Sequence, residues 1–269
     1  MIDIDGLFEI YFKKYMLKNA GKYTEDQWED KIPEVYAEFS DTPLKALDGK
    51  TPNDYFGGKS SAELVELLKE CVKTKSPVSD FLCEAITKSD SEKELLNLLD
   101  KSNGEEIISY AVNLLSDIGS VKPFSVYLEY LKDENTPDNL LESMTEKLCD
   151  NADLIKEEAI ISYGQTEKNR QYFAEIFSNM KKRDDRILDA LIKEFADHKG
   201  NPSLYAGYLS KYGDEKALPY LYERIKDKNL NYIDYKELKM AIDELGGEWK
   251  EERDFSDDFY YNKLKGKIS

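Results

Sequence analysis

A Gly49-Lys50-Thr51 triplet closes the stretch LKALDGKT. In a phosphate-binding loop such a triplet would set a lysine on the β- and γ-phosphates and a hydroxyl on magnesium. That loop also needs an upstream glycine, and its position is held here by Leu44. It must follow a buried strand, whereas Pro43 and its neighbours read as turn or helix. Pro52 comes directly after the triplet. Thr51 as N-cap, Pro52 as first helical residue and Asp54 in the first turn make a helix start, with Gly49 ending the turn before it. The triplet reads as punctuation between helices.

The other chemistry-bearing residues are sparse. His198 is the only histidine, so a nucleophile–His–acid triad would have to use it, yet no Gly-x-Ser-x-Gly elbow occurs. It ends the stretch DRILDALIKEFADHKG, where a cation complements the helix dipole. Cys71, Cys83 and Cys149 are scattered, with no Cys-x-x-Cys pair, and read as reduced thiols on helices. With one histidine they make no ordinary zinc centre. Asp254, Asp257 and Asp258 could gather around calcium or magnesium, but EF-hand spacing is missing and a solvated acidic loop is expected. Glu157–Glu158 reads as a solvated helix face and Asp184–Asp185 as a helix start. The block KKRDDR, 181–186, reads as basic turn followed by acidic helix N-terminus, with phosphate contact as the sharper alternative. No cofactor and no metal is implied.

Positioning these residues falls to helices. In AELVELLKECV, the residues Leu64, Leu67, Leu68, Cys71 and Val72 form one apolar stripe. Ile107, Ile108, Ala111, Leu114, Leu115 and Ile118 form another, and Ile187, Leu188, Leu191, Ile192 and Phe195 a third. Strand-like alternation is nearly absent, and 14 glycines and 8 prolines in 269 residues are too few for a turn-rich β protein. The expectation is an all-α chain. Its net charge of −17 disfavours nucleic acid and anionic membranes as partners and suits basic protein surfaces or cations. No stretch has the length of apolar residues that spans a bilayer. The segment MIDIDGLFEIYFKKYMLK carries acids where a signal peptide needs bases, so a cytoplasmic location is expected.

Four segments end alike: LSDIG at Gly119, IISYG at Gly164, LSKYG at Gly213 and IDELG at Gly246. In each, two apolar residues precede a glycine able to supply a left-handed helix end. Their uneven spacing lies in the range of helix-pair repeats. The run YLSKYGDEKALPYLYERIKD followed by YKELKMAIDELGG resembles HEAT-like repeats of the phycobilisome-lyase type. The matching residues are Gly213, Asp214, Ala217, Leu218, Pro219 and Leu221, then Ala241, Leu245 and Gly246. The resemblance is clearest over 204–247 and fainter back to about residue 104. It implies a degenerate α-solenoid of stacked antiparallel helix pairs with a right-handed superhelix. The Val-Arg pair of such repeats is replaced by Glu237 and Leu238, so the usual buried Arg–Asp ladder is missing. The resemblance implies a shape and no lyase activity.

On this reading residues 1–58, rich in aromatics, cap the solenoid of 59–247. Residues 248–269 form a strap held by Trp249, Phe255, Phe259 and Tyr260, ending in a frayed tail with Lys263, Lys265 and Lys267. Tyr205, Tyr208, Tyr212, Tyr220 and Tyr222 are the candidate binding residues on a concave face, with core lining as the plainer role. The function this suggests is a non-catalytic scaffold that binds a peptide or protein, suited to a basic one. The alternative is a HEAT-like DNA glycosylase, with Trp28, Trp249 or a tyrosine stacking on the base and a carboxylate assisting. That would need a row of basic residues along the groove.

Overall fold

Several helix starts in this chain are set by short polar side chains that take up otherwise unpaired backbone N–H groups. Thr24 with Gln27 and Ser60 with Glu63 form reciprocal capping boxes. Thr51 accepts from the Asp54 N–H, as the sequence indicated. The computed structural model describes residues 2–266, and among these there are α-helices and short 3₁₀ turns but no strand. Lys267 lies outside the described residues. No helix among them is long and apolar enough to cross a membrane.

The chain divides into two compact units, Met1–Val121 and Lys122–Ser269. The first holds α1 (Ile4–Lys18), α2 (Glu25–Ser40), α3 (Pro52–Tyr55), α4 (Ser61–Thr74), α5 (Asp80–Lys88), α6 (Glu92–Leu98) and α7 (Glu105–Asp117). Helices α1 and α2 pack together, and α4 packs on α5, α6 and α7. Fully buried Phe39 joins the two groups, touching Phe8 of α1 and Phe81 of α5. Tyr36 stacks on Phe81 at 5.6 Å. The aromatic segment within 1–58 therefore shares its core with the helices that follow, through the contacts of Tyr36 and Phe39 with Phe81 of α5. Trp28 is enclosed edge-on by Phe12, Tyr15 and Tyr23.

The second unit contains α8 (Phe124–Lys132), α9 (Asp138–Cys149), α10 (Lys156–Tyr163), α11 (Arg170–Ser178), α12 (Asp185–Asp197), α13 (Pro202–Tyr212), α14 (Leu218–Arg224), α15 (Tyr232–Glu244) and α16 (Phe259–Leu264). Helices α9, α11, α13 and α15 each pack against the next, forming one file. The intervening α8, α10, α12 and α14 pack on members of that file, and α8 also meets α10. Phe173, Phe177, Leu209 and Tyr212 fill the interior.

Two local expectations change. Gly119, Gly213 and Gly246 have φ of 72°, 73° and 81°, the left-handed helix ends foreseen for them. Gly164 instead continues right-handed at φ −67° and ψ −15°, so its resemblance to the other three is compositional. The C-terminal strap is held by Trp249 and Phe255, but Phe259 (57% exposed) and Tyr260 (44%) face solvent. Residues 259–264 form α16 because Asp258 caps it, and Tyr261, 5.1 Å from Tyr232, provides the contact assigned to its neighbours.

The glycine contrast is testable. Gly213→Ala puts a Cβ into left-handed backbone and 3.0 Å from the Arg183 guanidinium, and is expected to cost about 1–2 kcal/mol. Gly164→Ala meets only ordinary contacts and is expected to be neutral or stabilising by up to about 1 kcal/mol. Urea midpoints of the two variants check this; equal losses would refute the assignment.

Candidate functional site

The file of α9, α11 and α13 brings carboxylates and tyrosines onto one set of helix faces. On α9, Asp138 and Glu142 are exposed and Cys149 lies on the same stripe. On α11, Tyr172, Glu175 and Asn179 share a face, and on α13 Tyr208 and Lys211 do so. The Tyr172 hydroxyl is pushed up in pKa by burial and then by Asp138 across the α9–α11 contact. Burial and then Glu175 across the α11–α13 contact do the same to Tyr208. The Cys149 thiol is pushed up to about 12 by burial, with Glu175 adding to it. All three groups stay protonated at neutral pH. The face therefore offers carboxylates beside the half-buried Tyr208, with Tyr172 buried beneath them.

The five tyrosines singled out in the sequence do not share a surface. Tyr205 and Tyr212 belong to the interior stripe of α13 that includes Leu209. The ring of Tyr205 stacks on His198 at 4.6 Å. The hydroxyl of fully buried Tyr212 accepts from the Asp184 N–H at 2.8 Å and donates to the Asp184 carbonyl at 3.2 Å. Tyr222 accepts from the Glu248 N–H and braces the strap. Tyr220 is 47% exposed on α14. Tyr208 alone lies on the carboxylate-bearing face of the file. Core packing claimed Tyr205 and Tyr212 because a tyrosine one turn from a buried leucine joins its stripe.

His198 sits at the end of α12 with Nδ1 3.0 Å from the Glu194 carbonyl and 3.4 Å from the Glu194 carboxylate. Glu194 is only 2% exposed and accepts a 2.6 Å hydrogen bond from the Tyr163 hydroxyl. Burial, then this carboxylate, push the Tyr163 pKa well upward, so the phenol remains a donor. Glu194 was missed in the sequence. Its signal is a charged residue within the apolar stripe of Ile187, Leu191 and Phe195.

The block 181–186 supplies its own anions. The Asp153 carboxylate accepts the backbone N–H groups of Lys181 and Lys182 at 3.1 and 3.2 Å. Arg186 grips Glu157 through both terminal nitrogens, at 3.0 and 2.8 Å, and also binds Asp184. Lys156 adds a 3.0 Å contact to Asp184. The turn position where a phosphate would bind to backbone is filled by a side chain from the preceding helix pair.

The acidic loop before α16 is used for capping. Asp254 accepts from the Ser256 N–H and hydroxyl. Asp258 accepts from the Tyr261 N–H and from the Tyr232 N–H, starting α16 and bracing the start of α15. Among the described residues no group of three or more His, Cys, Asp or Glu side chains could hold a metal ion. Burial pushes the Cys83 thiol up to about 11 and raises Cys71 as well, which suppresses thiolate chemistry at neutral pH.

The strap leaves a cleft of about 260 Å³ against α15, lined by Tyr232, Tyr235, Lys236 and Lys239 on the helix side and by Glu251, Glu252 and Phe255 on the strap side. Trp249 donates to the Tyr235 hydroxyl at 2.9 Å, below this cleft. Comparison with known proteins finds no matching family model, no matching curated protein and no matching solved structure.

The Arg186 guanidinium and then the Lys156 ammonium hold Asp184 far below the usual carboxylate range. Its folded pKa is thus below the unfolded value of about 3.9, and the stability it contributes is present above that value and lost as pH falls through the folded pKa. Asp184→Asn keeps the helix cap but removes the charge. It is expected to lower the urea midpoint at neutral pH, and the gap to wild type is expected to narrow progressively below about pH 4 and to close only as pH falls through the folded pKa. A gap independent of pH would overturn the ion-pair account.

Proposed function

We propose that this chain is a non-catalytic scaffold of HEAT-like α-solenoid form whose second unit binds a basic segment of a partner protein. One observation carries the reading: Asp138, Glu142 and Glu175 line the same set of helix faces as Tyr172 and Tyr208. A lysine or arginine laid along the file would meet carboxylates in succession, with the half-buried Tyr208 beside them. Stacked helix pairs suit an extended ligand because each pair adds a similar strip of surface. The excess of 55 acids over 38 bases steers such a partner from a distance. The repeat form itself rests on the order of packing in the file and on the resemblance over residues 204–247.

Titration of a fluorescein-labelled Lys/Arg-rich peptide, followed by anisotropy, tests the reading. Binding is expected to weaken with salt. It is expected to fall about tenfold in the triple variant Asp138→Asn, Glu142→Gln, Glu175→Gln, since each exposed pair contributes roughly 0.5 kcal/mol. Unchanged affinity in the variant would overturn it, as would tighter, salt-sensitive binding to duplex DNA.

A further inference from the structure

The cleft under the strap separates its charges by wall. Lys236 and Lys239 project from one stripe of α15, together with Tyr232 and Tyr235. Glu251 and Glu252 stand on the strap opposite. Among the described residues, neither lysine pairs with a carboxylate and neither glutamate pairs with a cation. Opposite charges facing each other across a cleft would normally close it.

Three pins prevent that. The Tyr235 hydroxyl donates to the Glu251 carbonyl at 2.6 Å. Arg253 donates to the carbonyls of Ile225 and Asp227 at 2.9 and 2.8 Å. Asp258 holds the far end through the Tyr232 N–H at 3.1 Å. Each pin engages backbone, so it sets the height of the strap without neutralising the cleft's charges. The pins also consume the Tyr235 hydroxyl and the Arg253 guanidinium, the latter lying 4.9 Å over the Tyr235 ring. What remains for a ligand is two ammonium groups, the carboxylates of Glu251 and Glu252 beside that of Asp254, which is already bonded to Ser256, and the half-buried rings of Tyr232 and Phe255, themselves edge to face at 5.4 Å.

We infer that this cleft binds a small zwitterion bearing an aromatic ring, of the chemical class of a free aromatic amino acid. The ligand carboxylate meets Lys236 and Lys239, its ammonium meets Glu251 and Glu252, and its ring lies against Phe255 and Tyr232. Such a ligand completes both walls at once, whereas a simple anion or cation leaves one wall uncompensated. The site lies apart from the face of α9, α11 and α13 in its residues, so it stands or falls independently of the peptide-binding reading.

The test uses the full chain and three probes: L-phenylalanine, 3-phenylpropanoate without the ammonium, and 2-phenylethylamine without the carboxylate. Calorimetric titration is paired with the fluorescence of Trp249, which is bonded to Tyr235 at the cleft. Phenylalanine is expected to bind at least about tenfold more tightly than either fragment. Lys236→Ala with Lys239→Ala is expected to weaken phenylalanine about tenfold and leave 2-phenylethylamine unchanged, and Glu251→Gln with Glu252→Gln to spare 3-phenylpropanoate instead. These positions lie on the surface, and unchanged urea midpoints establish that the variants fold. No binding of phenylalanine at about 10 mM, equal binding of all three probes, or insensitivity to both double variants would overturn the inference.

Discussion

The second unit depends on one recurring device: a polar side chain of one helix pair reaches a backbone group at the helix end of another. Buried Asn169 donates to the carbonyls of Leu131 and Asp133 at the end of α8. Asp153 accepts from the turn before α12, and the Tyr212 hydroxyl closes on both backbone groups of Asp184. Arg224 donates to the Lys199 carbonyl beyond α12, and Arg253 to the carbonyls beyond α14. Helix ends leave carbonyls and amides without intrahelical partners, and short connections cannot turn all of them to water. Each bond contributes only about 0.5–1.5 kcal/mol net, but an unmet buried group costs about 1–3 kcal/mol. The device therefore acts mainly by excluding arrangements in which those groups go unpaired.

It also accounts for a departure noted in the sequence. Where HEAT-like repeats carry a Val-Arg pair, this chain has Glu237, exposed, and Leu238, fully buried. The polar lock between pairs is made instead by residues in the connections and at the helix starts, namely Asn169, Asp184, Tyr212 and Arg253. These residues lack a common spacing, because a side chain can reach a neighbouring helix end from several positions.

What was legible in the sequence follows from the range of each interaction. The helices and their caps were legible because they are local: Thr51 binds Asp54 within one turn, and Ile187, Leu191 and Phe195 repeat with the helical period. Gly164 shows the limit, since a glycine permits left-handed backbone without requiring it. Burial of individual tyrosines was not legible. Tyr205, Tyr208 and Tyr212 are near-equivalent on a helical wheel, and only the position of α12 and α11 decides which ring is interior. Glu194 and Asp258 were hidden for a similar reason. Their partners, Tyr163 and Tyr232, lie in other helices; Glu194 is marked only by its place in the stripe of Ile187, Leu191 and Phe195, and Asp258 by nothing in its surrounding residues.

Net charge is informative about the whole surface and silent about its parts. An average of −17 coexists with a cleft whose helix wall carries two unpaired lysines, and with a turn at 181–186 whose backbone amides are engaged by Asp153 and whose Arg186 is engaged by Asp184 and Glu157. Which charges remain available depends on what the backbone holds in place. Arg186 lies beside two carboxylates and is spent on them. Lys236 lines a cleft with two carboxylates on its other wall and pairs with neither, while Arg253 and Tyr235 hold that strap through backbone carbonyls. Backbone pins of this kind bear on whether a charge pair becomes an internal bond or an open site, and the cleft under the strap is the place where they hold two charged walls in position.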